Sequence, residues 1–570
     1  MHTASSALLE ALNEAGVSYI FANLGSDHPP IVEALAQAEA ESRPAPRLIT
    51  CPNEMVALSA AHGFALASGQ AQAVLVHVEC GTQALGGAIH NAAKGRIPVL
   101  ILAGASPFTQ EGELPGSRNE FIQWIQDVHD QRGLVRGYMR YDNEIRSGRN
   151  IKQLVHRALQ FATSDPKGPV YLMAAREMLA EEVPAVAINP AHWRPIAPTA
   201  LAPDSVGAIT DALAEARRPL IVTSYLGRNP AAVAPLTRLA RRLGAGVLES
   251  VPSAMNFPHD DPLYQGNQWN EAERNPALAE ADCVLVVESD VPWIPRHNRP
   301  AAEARVFHID TDPLKEQMAL WYIGAERRFR ADAATALAQL DAALAARAID
   351  PARRAERLAH YAARHEGRAR ALAARAAAGH TPLTGDYLTA RLKTHLDTKT
   401  IIVNEGISHF PAIFDQIAPT TPGSMLGSGG GALGWNGGAA IGVKLARPDH
   451  TVIALTGDGS YMFSIPATVH WMARQYRTPF LQVIYNNRGW KSPKLSTLAL
   501  HPDGYAARAG EIGASFDPPP DYAGIAAAAG GAFARRVRTS EELDAALAAA
   551  LHAIRVERRA AVLDVWLPAF

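Results

Sequence analysis

Asp458 lies between two glycines just after the apolar run Val452–Leu455, and Asn486–Asn487 follows a second run, Pro479–Tyr485. An amphipathic stretch separates the two, so the segment reads as strand, loop, helix, strand, loop. A right-handed crossover of that kind brings both loops to the same edge of a parallel sheet. That edge, beyond the carboxyl ends of the strands, is where open α/β sheets bind ligands. A carboxylate and an amide oxygen therefore converge there. Hard oxygen ligands on short loops suit Mg²⁺, which takes one or two protein ligands and leaves its other positions to phosphates and water. Taken singly, Gly-Asp-Gly and Asn-Asn are also common turn sequences.

Gly459 and Asn486 are separated by 26 residues. This arrangement resembles the thiamine-diphosphate-binding motif of the pyruvate decarboxylase and acetolactate synthase superfamily. The resemblance implies that Asp458, Asn487 and the carbonyl of Gly489 hold Mg²⁺ on the cofactor's diphosphate. Gly457 and Gly459 flank the carboxylate, and Ser460 is placed to donate to a phosphate oxygen.

Glu54 opens a helix in CPNEMVALSAAHGFALASG, similar to the family segment whose Glu hydrogen-bonds the aminopyrimidine ring and drives its imino tautomer. Such work needs a carboxyl group in a water-poor site; the alternative is a helix-N-terminal Glu stabilised by the dipole. His77, in HVECGTQALGGAIHNAAKGRIP, and Gly25-Ser26-Asp27-His28 are similar to the benzoylformate decarboxylase branch. The likeness implies an active-site His77 and a Ser26 that binds the substrate carboxylate, with His28 beside it. Leu24 stands where that branch has Pro. The pyruvate decarboxylase Asp directly follows the Gly, so Asp27 does not align with it. Alternatively, His77 is a buried strand-end histidine, and Ser26 and His28 cap a helix.

Asn404-Glu405-Gly406-Ile407-Ser408-His409 follows a strand and begins a helix, whose free N–H groups suit a phosphate. The match to the same branch puts Ser408 and His409 near the diphosphate. GSGGGALGWNGGAAIG, residues 427–442, resembles the family's glycine-rich segment, implying that the Gly431 carbonyl meets the aminopyrimidine and Leu433 wedges the cofactor into its bent form. Gly437-Gly438 replaces the usual Leu-Pro and predicts a looser helix start.

These residues need a scaffold of strands alternating with helices. The signals run strand Tyr19–Ala22, helix Pro29–Ala40, strand Arg47–Thr50, helix Glu54–Ala67, strand Ala73–Val78, helix Ala84–Ala93, strand Pro98–Ala103, and a last strand Pro169–Met173. The pattern repeats after a Pro- and Ala-rich linker, Val183–Pro203, and again from Thr381. The fold class expected is α/β, with three consecutive doubly wound parallel-sheet domains. The boundaries are 1–185 (pyrimidine-binding), 186–350 (central), 351–380 (helical linker) and 381–570 (diphosphate- and Mg-binding). The Ala/Arg-rich tract Ala331–Ala374 reads as a solvated spacer.

The chain has 570 residues, 48% apolar and 19% charged, with net charge −2, which gives no reason to expect nucleic acid or an anionic membrane. Three scattered cysteines make neither a disulfide framework nor a zinc set. With no membrane span and no basic signal-peptide start, the expectation is a cytoplasmic protein.

The resemblance implies a thiamine-diphosphate- and Mg²⁺-dependent decarboxylase or carboligase acting on a 2-oxo acid through an ylid and an enamine. It also implies a homodimer or homotetramer with active sites between subunits. One alternative is a non-catalytic cofactor-binding or regulatory homologue, against which Glu54 argues. Another is an FAD-containing relative with lyase or oxidase activity; the second α/β unit carries no Gly-x-Gly-x-x-Gly after a strand to support it. Residues 289–296 and 491–518 match no family pattern and are expected to shape the pocket.

Overall fold

The computed structural model describes residues 1–347, 349–511 and 513–569. Its frame is three six-stranded sheets, every pairing parallel. The first contains β1 (Tyr19–Ala22), β2 (Arg47–Thr50), β3 (Gln72–Val76), β4 (Val99–Ala105), β5 (Tyr141–Glu144) and β6 (Val170–Ala175). The second contains β7 (Pro219–Thr223), β8 (Gly246–Ser250), β9 (Tyr264–Gln268), β10 (Cys283–Val287), β11 (Arg305–Asp310) and β12 (Arg327–Arg330). The third contains β13 (Thr400–Glu405), β14 (Met425–Gly427), β15 (Thr451–Gly457), β16 (Leu481–Asn486), β17 (Phe533–Val537) and β18 (Ala561–Trp566).

Central strands such as β3 and β10 are buried at every position, as sheets covered by helices on both faces require. The orders are β2-β1-β3-β4-β6-β5, β12-β11-β10-β7-β8-β9 and β14-β13-β15-β16-β18-β17. The second order reverses once, and the first and third reverse in the interior and again at the edge pairs β6-β5 and β18-β17. At each interior reversal the loops leaving two adjacent strands diverge to open a crevice. The crevices lie between β1 and β3, between β7 and β10, and between β13 and β15.

Four readings of the sequence need correction. Pro169–Met173 is indeed the last strand in sequence, β6, but five strands were missed: β5 (YDNE), β9 (YQGNQ), β12 (RRFR) and β17 (FARRV) are too polar to give a strand signal, and β14 (MLG) is too short. The helix expected at Ala84–Ala93 is two, Val78–Ala84 and Gly86–Lys94. The Ala331–Ala374 tract is also two helices, Ala333–Ala345 and Pro351–Ala378, and Ala348 between them lies outside the described residues. The first is no spacer, since Ala336, Leu337 and Leu340 are fully buried. The second buries Arg357, which donates to the carbonyls of Leu243, Ala214 and Ala216, so an apparently solvated charge ends three backbone segments.

The fourth correction concerns Gly437-Gly438. They lie inside the well-formed Trp435–Ala446 helix, packed against the Glu54–Ser68 helix of the first unit. A Cβ on Gly438 would stand 2.8 Å from Ser59 Cβ, one on Gly437 2.9 Å from a Val469 methyl, and Cβ atoms on Gly63 and Gly442 would collide with the carbonyls of Ala439 and Ala60. The glycines let two backbones meet rather than loosening a helix. His62 packs against Trp435 at 5.1 Å in this seam, where burial pushes its pKa down to about 3 and keeps it neutral.

Gly63→Ala should therefore cost about 1–3 kcal/mol by overpacking, read as a lower thermal-unfolding midpoint. Gly207→Ala, in the Pro203–Glu215 helix with open space around it, should instead be neutral or stabilising by up to about 1 kcal/mol.

Candidate active site

In the third sheet, β15 runs through Gly457 and a helix starts at once, Asp458–Phe463. The expected loop is thus a direct strand-to-helix junction. Asp458 is buried; its Oδ1 accepts from the Gly459 N–H at 2.8 Å and its Oδ2 from the Gly489 N–H at 2.9 Å. Burial pushes its pKa up to about 6. The two asparagines divide their work. Asn486 donates to Asp564 at 2.7 Å and accepts from the Arg488 N–H, so it braces the turn. Asn487 is left with its Oδ1 buried and unpartnered.

The turn is pinned from outside, because the Trp490 N–H donates to the Ala514 carbonyl and the Phe516 N–H to the Arg488 carbonyl. After the turn, segment 491–518 forms two short helices, Lys491–Leu500 and Tyr505–Ala509, and Ala514 and Phe516 come back to hold the turn; Ile512 lies outside the described residues. A Cβ on Gly459 would sit 2.5 Å from Trp490 Nε1, whereas Gly457 faces open space. Ser460 is buried on the same helix. Among the described residues no group of three or more His, Cys, Asp or Glu converges on a metal position. A buried carboxylate, an orphaned amide oxygen and open space at Gly457 fit a cation that draws its remaining ligands from a phosphate.

Ser408 and His409 follow β13 in a short turn, Ile407–His409, across the crevice from β15. The His409 ring rests on Tyr485 at 5.3 Å, its Nε2 is buried without a partner, and burial pushes its pKa down to about 4. Glu405 is the last residue of β13. It accepts the N–H groups of Gly434 (2.7 Å), Trp435 (3.4 Å) and Asn436 (2.7 Å), so it caps the helix that follows Gly431 and Leu433. Burial pushes its pKa up to about 7 despite these donors. The Gly431 N–H donates to His90 Nε2 at 3.1 Å, and Ala432 exchanges two hydrogen bonds with Asn91. The glycine segment is thereby docked on the first unit, with Leu433 half-buried beside it.

The remaining site residues gather at the crevice of the first sheet. Glu54 begins its helix after the Asn53 cap, is 7% exposed, and accepts from Asn23 Nδ2 at 2.8 Å. His77 lies one residue beyond β3, as the residue before the Val78–Ala84 helix. Its Nδ1 meets Asp27 Oδ1 at 2.5 Å and its Nε2 meets Gln126 Oε1 at 3.0 Å. The hydrogen bond to Asp27, more than any other contact, raises its pKa. The capping alternative for Ser26 and His28 fails. His28 precedes the Pro29–Ala40 helix without a side-chain cap bond, and Ser26 Oγ is buried and bonds nothing. His28 Nδ1 accepts from the Gly25 N–H at 3.0 Å, and burial lowers its pKa. Asp27, Gln126, Asn23 and Glu405 were all missed. Only Asp27 carried a signal, as a carboxylate directly beside the Ser26 motif.

The site residues thus form two clusters, one on the first sheet (Ser26, His28, Glu54, His77) and one on the third (Ser408, His409, Asp458, Ser460, Asn487, Gly489). Among the described residues no hydrogen bond joins Glu54 to Asp458.

Three family signatures match in succession: thiamine pyrophosphate enzyme, N-terminal TPP binding domain, over residues 2–134; central domain, over 206–340; and C-terminal TPP binding domain, over 408–565. The chain is 27% identical over 496 residues to the benzoylformate decarboxylase of Pseudomonas aeruginosa, covering 85% of this chain and 86% of that one. It is 26% identical over 508 residues to a probable acetolactate synthase large subunit of Methanocaldococcus jannaschii, covering 85% and 80%. Among solved structures, the thiamine diphosphate-dependent 4-hydroxybenzoylformate decarboxylase of Rhodococcus jostii shares the fold, with TM-score 0.77, 23% identity and coverage of 100% and 99%. So does the benzoylformate decarboxylase of Polynucleobacter necessarius, with TM-score 0.79, 18% identity and coverage of 100% of both chains. With all three signatures in order and both site clusters at the carboxyl ends of their strands, the chain belongs to the thiamine pyrophosphate enzymes.

Proposed function

We propose that the protein is a thiamine-diphosphate-dependent decarboxylase or carboligase of 2-oxo acids, using Mg²⁺. The observation that carries this reading is the buried pair of Asp458, a carboxylate, and Asn487, whose amide oxygen has no hydrogen-bond partner. Asp458, Asn487 and the Gly489 carbonyl would hold the metal; Gly457, Gly459, Ser460, Ser408 and His409 would surround the diphosphate; Gly431 and Leu433 would meet the pyrimidine and the bend. Bound there, thiamine diphosphate would supply a nucleophilic thiazolium carbon and a sink for the electron pair of a departing carboxylate.

The chain's own residues do the rest. Glu54, held by Asn23 and shut away from water, would hold the proton exchanged with the cofactor's pyrimidine ring. Ser26, whose hydroxyl is buried and unpaired, donates to the substrate carboxylate. His77 handles a proton at Nε2, with His28 behind it. The names of the relatives support an aryl or alkyl 2-oxo acid as substrate.

The domains of this reading are 1–185, 186–350, a helical linker 351–380, and 381–570, in a cytoplasmic protein. Among the described residues no helix is long and apolar enough to cross a membrane. A homodimer or homotetramer would let one chain's Glu54 face another's diphosphate site. Exposed Phe121, Trp124 and Ile125 on the first unit, with Phe463 and Trp471 on the third, support such pairing.

Three measurements test these statements. A panel of 2-oxo acids should yield CO₂ with magnesium and thiamine diphosphate, and no turnover of any would contradict the reaction class. Titration calorimetry should show Asp458→Ala losing cofactor affinity about 100-fold or more, since a charged ligand is removed from a site that has only two other protein ligands; unchanged affinity would remove the metal assignment. Activity should fall on dilution together with the sedimentation-measured dimer, and a fully active monomer would exclude a shared site.

A further inference from the structure

The crevice of the first sheet is built around Asp27, a residue to which neither the sequence nor the relatives assign a role. Its carboxylate is 1% exposed. Oδ1 meets His77 Nδ1 at 2.5 Å and Oδ2 accepts from the Val78 N–H at 3.0 Å. His28 Nε2 stands 3.2 Å from Oδ2, out of hydrogen-bonding alignment. Two glycines make the room. A Cβ on Gly104, in the neighbouring β4, would overlap Asp27 Oδ2, and a Cβ on Gly25 would overlap His77 Nδ1. The backbone bends to the same end, because Val78 holds φ at 33°, a region costly to a β-branched residue. That turn aims its N–H at Asp27. Strain and close-approach glycines around one buried carboxylate mark a functional constraint more than a packing one.

We infer that Asp27 is a positioning residue for His77, fixing the ring plane and the Nδ1–H tautomer so that Nε2 is presented to the substrate as a proton donor. This role in turnover rests on the function proposed above. A carboxylate on one imidazole nitrogen sets the state of the other. Gln126 Oε1 lies 3.0 Å from Nε2, and an amide oxygen needs an N–H there, which a ring already carrying a proton at Nδ1 has only as the imidazolium. The charged or titratable groups facing the ring are Asp27 from the loop after β1, His28 at the start of the following helix, and Glu54 on its own helix. Asp27 and Glu54 favour the cation, and a neutral His28 does not oppose it. In the transfer the Nε2–H bond breaks and its electron pair stays on nitrogen. The proton passes to the substrate atom that has gained an electron pair. The neutral ring keeps Nδ1–H on Asp27 and is reprotonated from water.

The test uses ¹⁵N-labelled full-length protein without cofactor, so it stands apart from whether any 2-oxo acid is turned over. In the unsubstituted protein His77 should titrate above an ordinary histidine, with Nδ1 protonated throughout. In Asp27→Asn the titration should move to lower pH. A His77 that titrates like a free histidine, or carries its neutral proton on Nε2, overturns the inference without any variant, should Asp27→Asn fail to fold. In the cofactor-loaded enzyme Asp27→Asn should lower kcat about tenfold or more, leave KM nearly unchanged, and shift the alkaline limb of the pH–rate profile to lower pH with the His77 titration. An unmoved profile with a moved titration would make Asp27 a structural group only.

Discussion

Backbone-to-backbone contact between the Glu54–Ser68 and Trp435–Ala446 helices is the constraint on which the rest of the molecule depends. Gly63, Gly438 and Gly442 leave no space between them for a single added methyl. One helix begins with the carboxyl group proposed to face the pyrimidine. The other is capped by Glu405, at the end of a strand that borders the diphosphate crevice. A seam this tight cannot slide, because interiors at close-packed density transmit displacement rather than absorb it. The spacing between the working edges of the first and third sheets is therefore set by small residues far from either site.

All three sheets reverse strand order at an interior pair of strands, and differ in what each does with the crevice formed there. The first fills its crevice with Asp27 and His77. The second lines its own with paired charges, where the Tyr225 hydroxyl lies 3.0 Å from Asp290 and 2.7 Å from Asp310, Lys315 meets both carboxylates, and Arg96 reaches across from the first unit to Asp290. Burial of these charges is offset by mutual pairing, and the cluster ties the central unit to the first. Residues 289–296 contribute Asp290 to this tie. The third crevice keeps the Asn487 amide oxygen buried and unpaired beside the buried Asp458 carboxylate, an arrangement that suits a further ligand.

Much of this was legible in the sequence where a physical rule acts locally. Apolar runs ended by glycine gave the central strands, and the Gly-Asp-Gly to Asn-Asn spacing gave the third crevice. What escaped depends on tertiary neighbours. β5 (YDNE) and β12 (RRFR) are edge strands, needing little apolar character on a solvent-facing border. Gly437 and Gly438 look like helix breakers until the facing helix is known. Asp27 looks like a turn residue until Gly104, three strands away in sequence, is seen to make space for it. The division between Asn486 and Asn487 is likewise invisible without Asp564.

The central claim is that Glu54 is chemically engaged with the cofactor rather than a helix-terminal charge. Hydrogen–deuterium exchange at the thiazolium C2 of bound thiamine diphosphate, followed by NMR, reads that engagement without knowledge of the substrate. Glu54→Gln keeps the shape and the Asn23 contact but removes the proton. Exchange should be far faster in the unsubstituted protein than in Glu54→Gln, by about 100-fold or more for the loss of an acid–base group, with cofactor bound in both. Equal exchange rates would contradict it and leave Glu54 as a stabiliser of its helix.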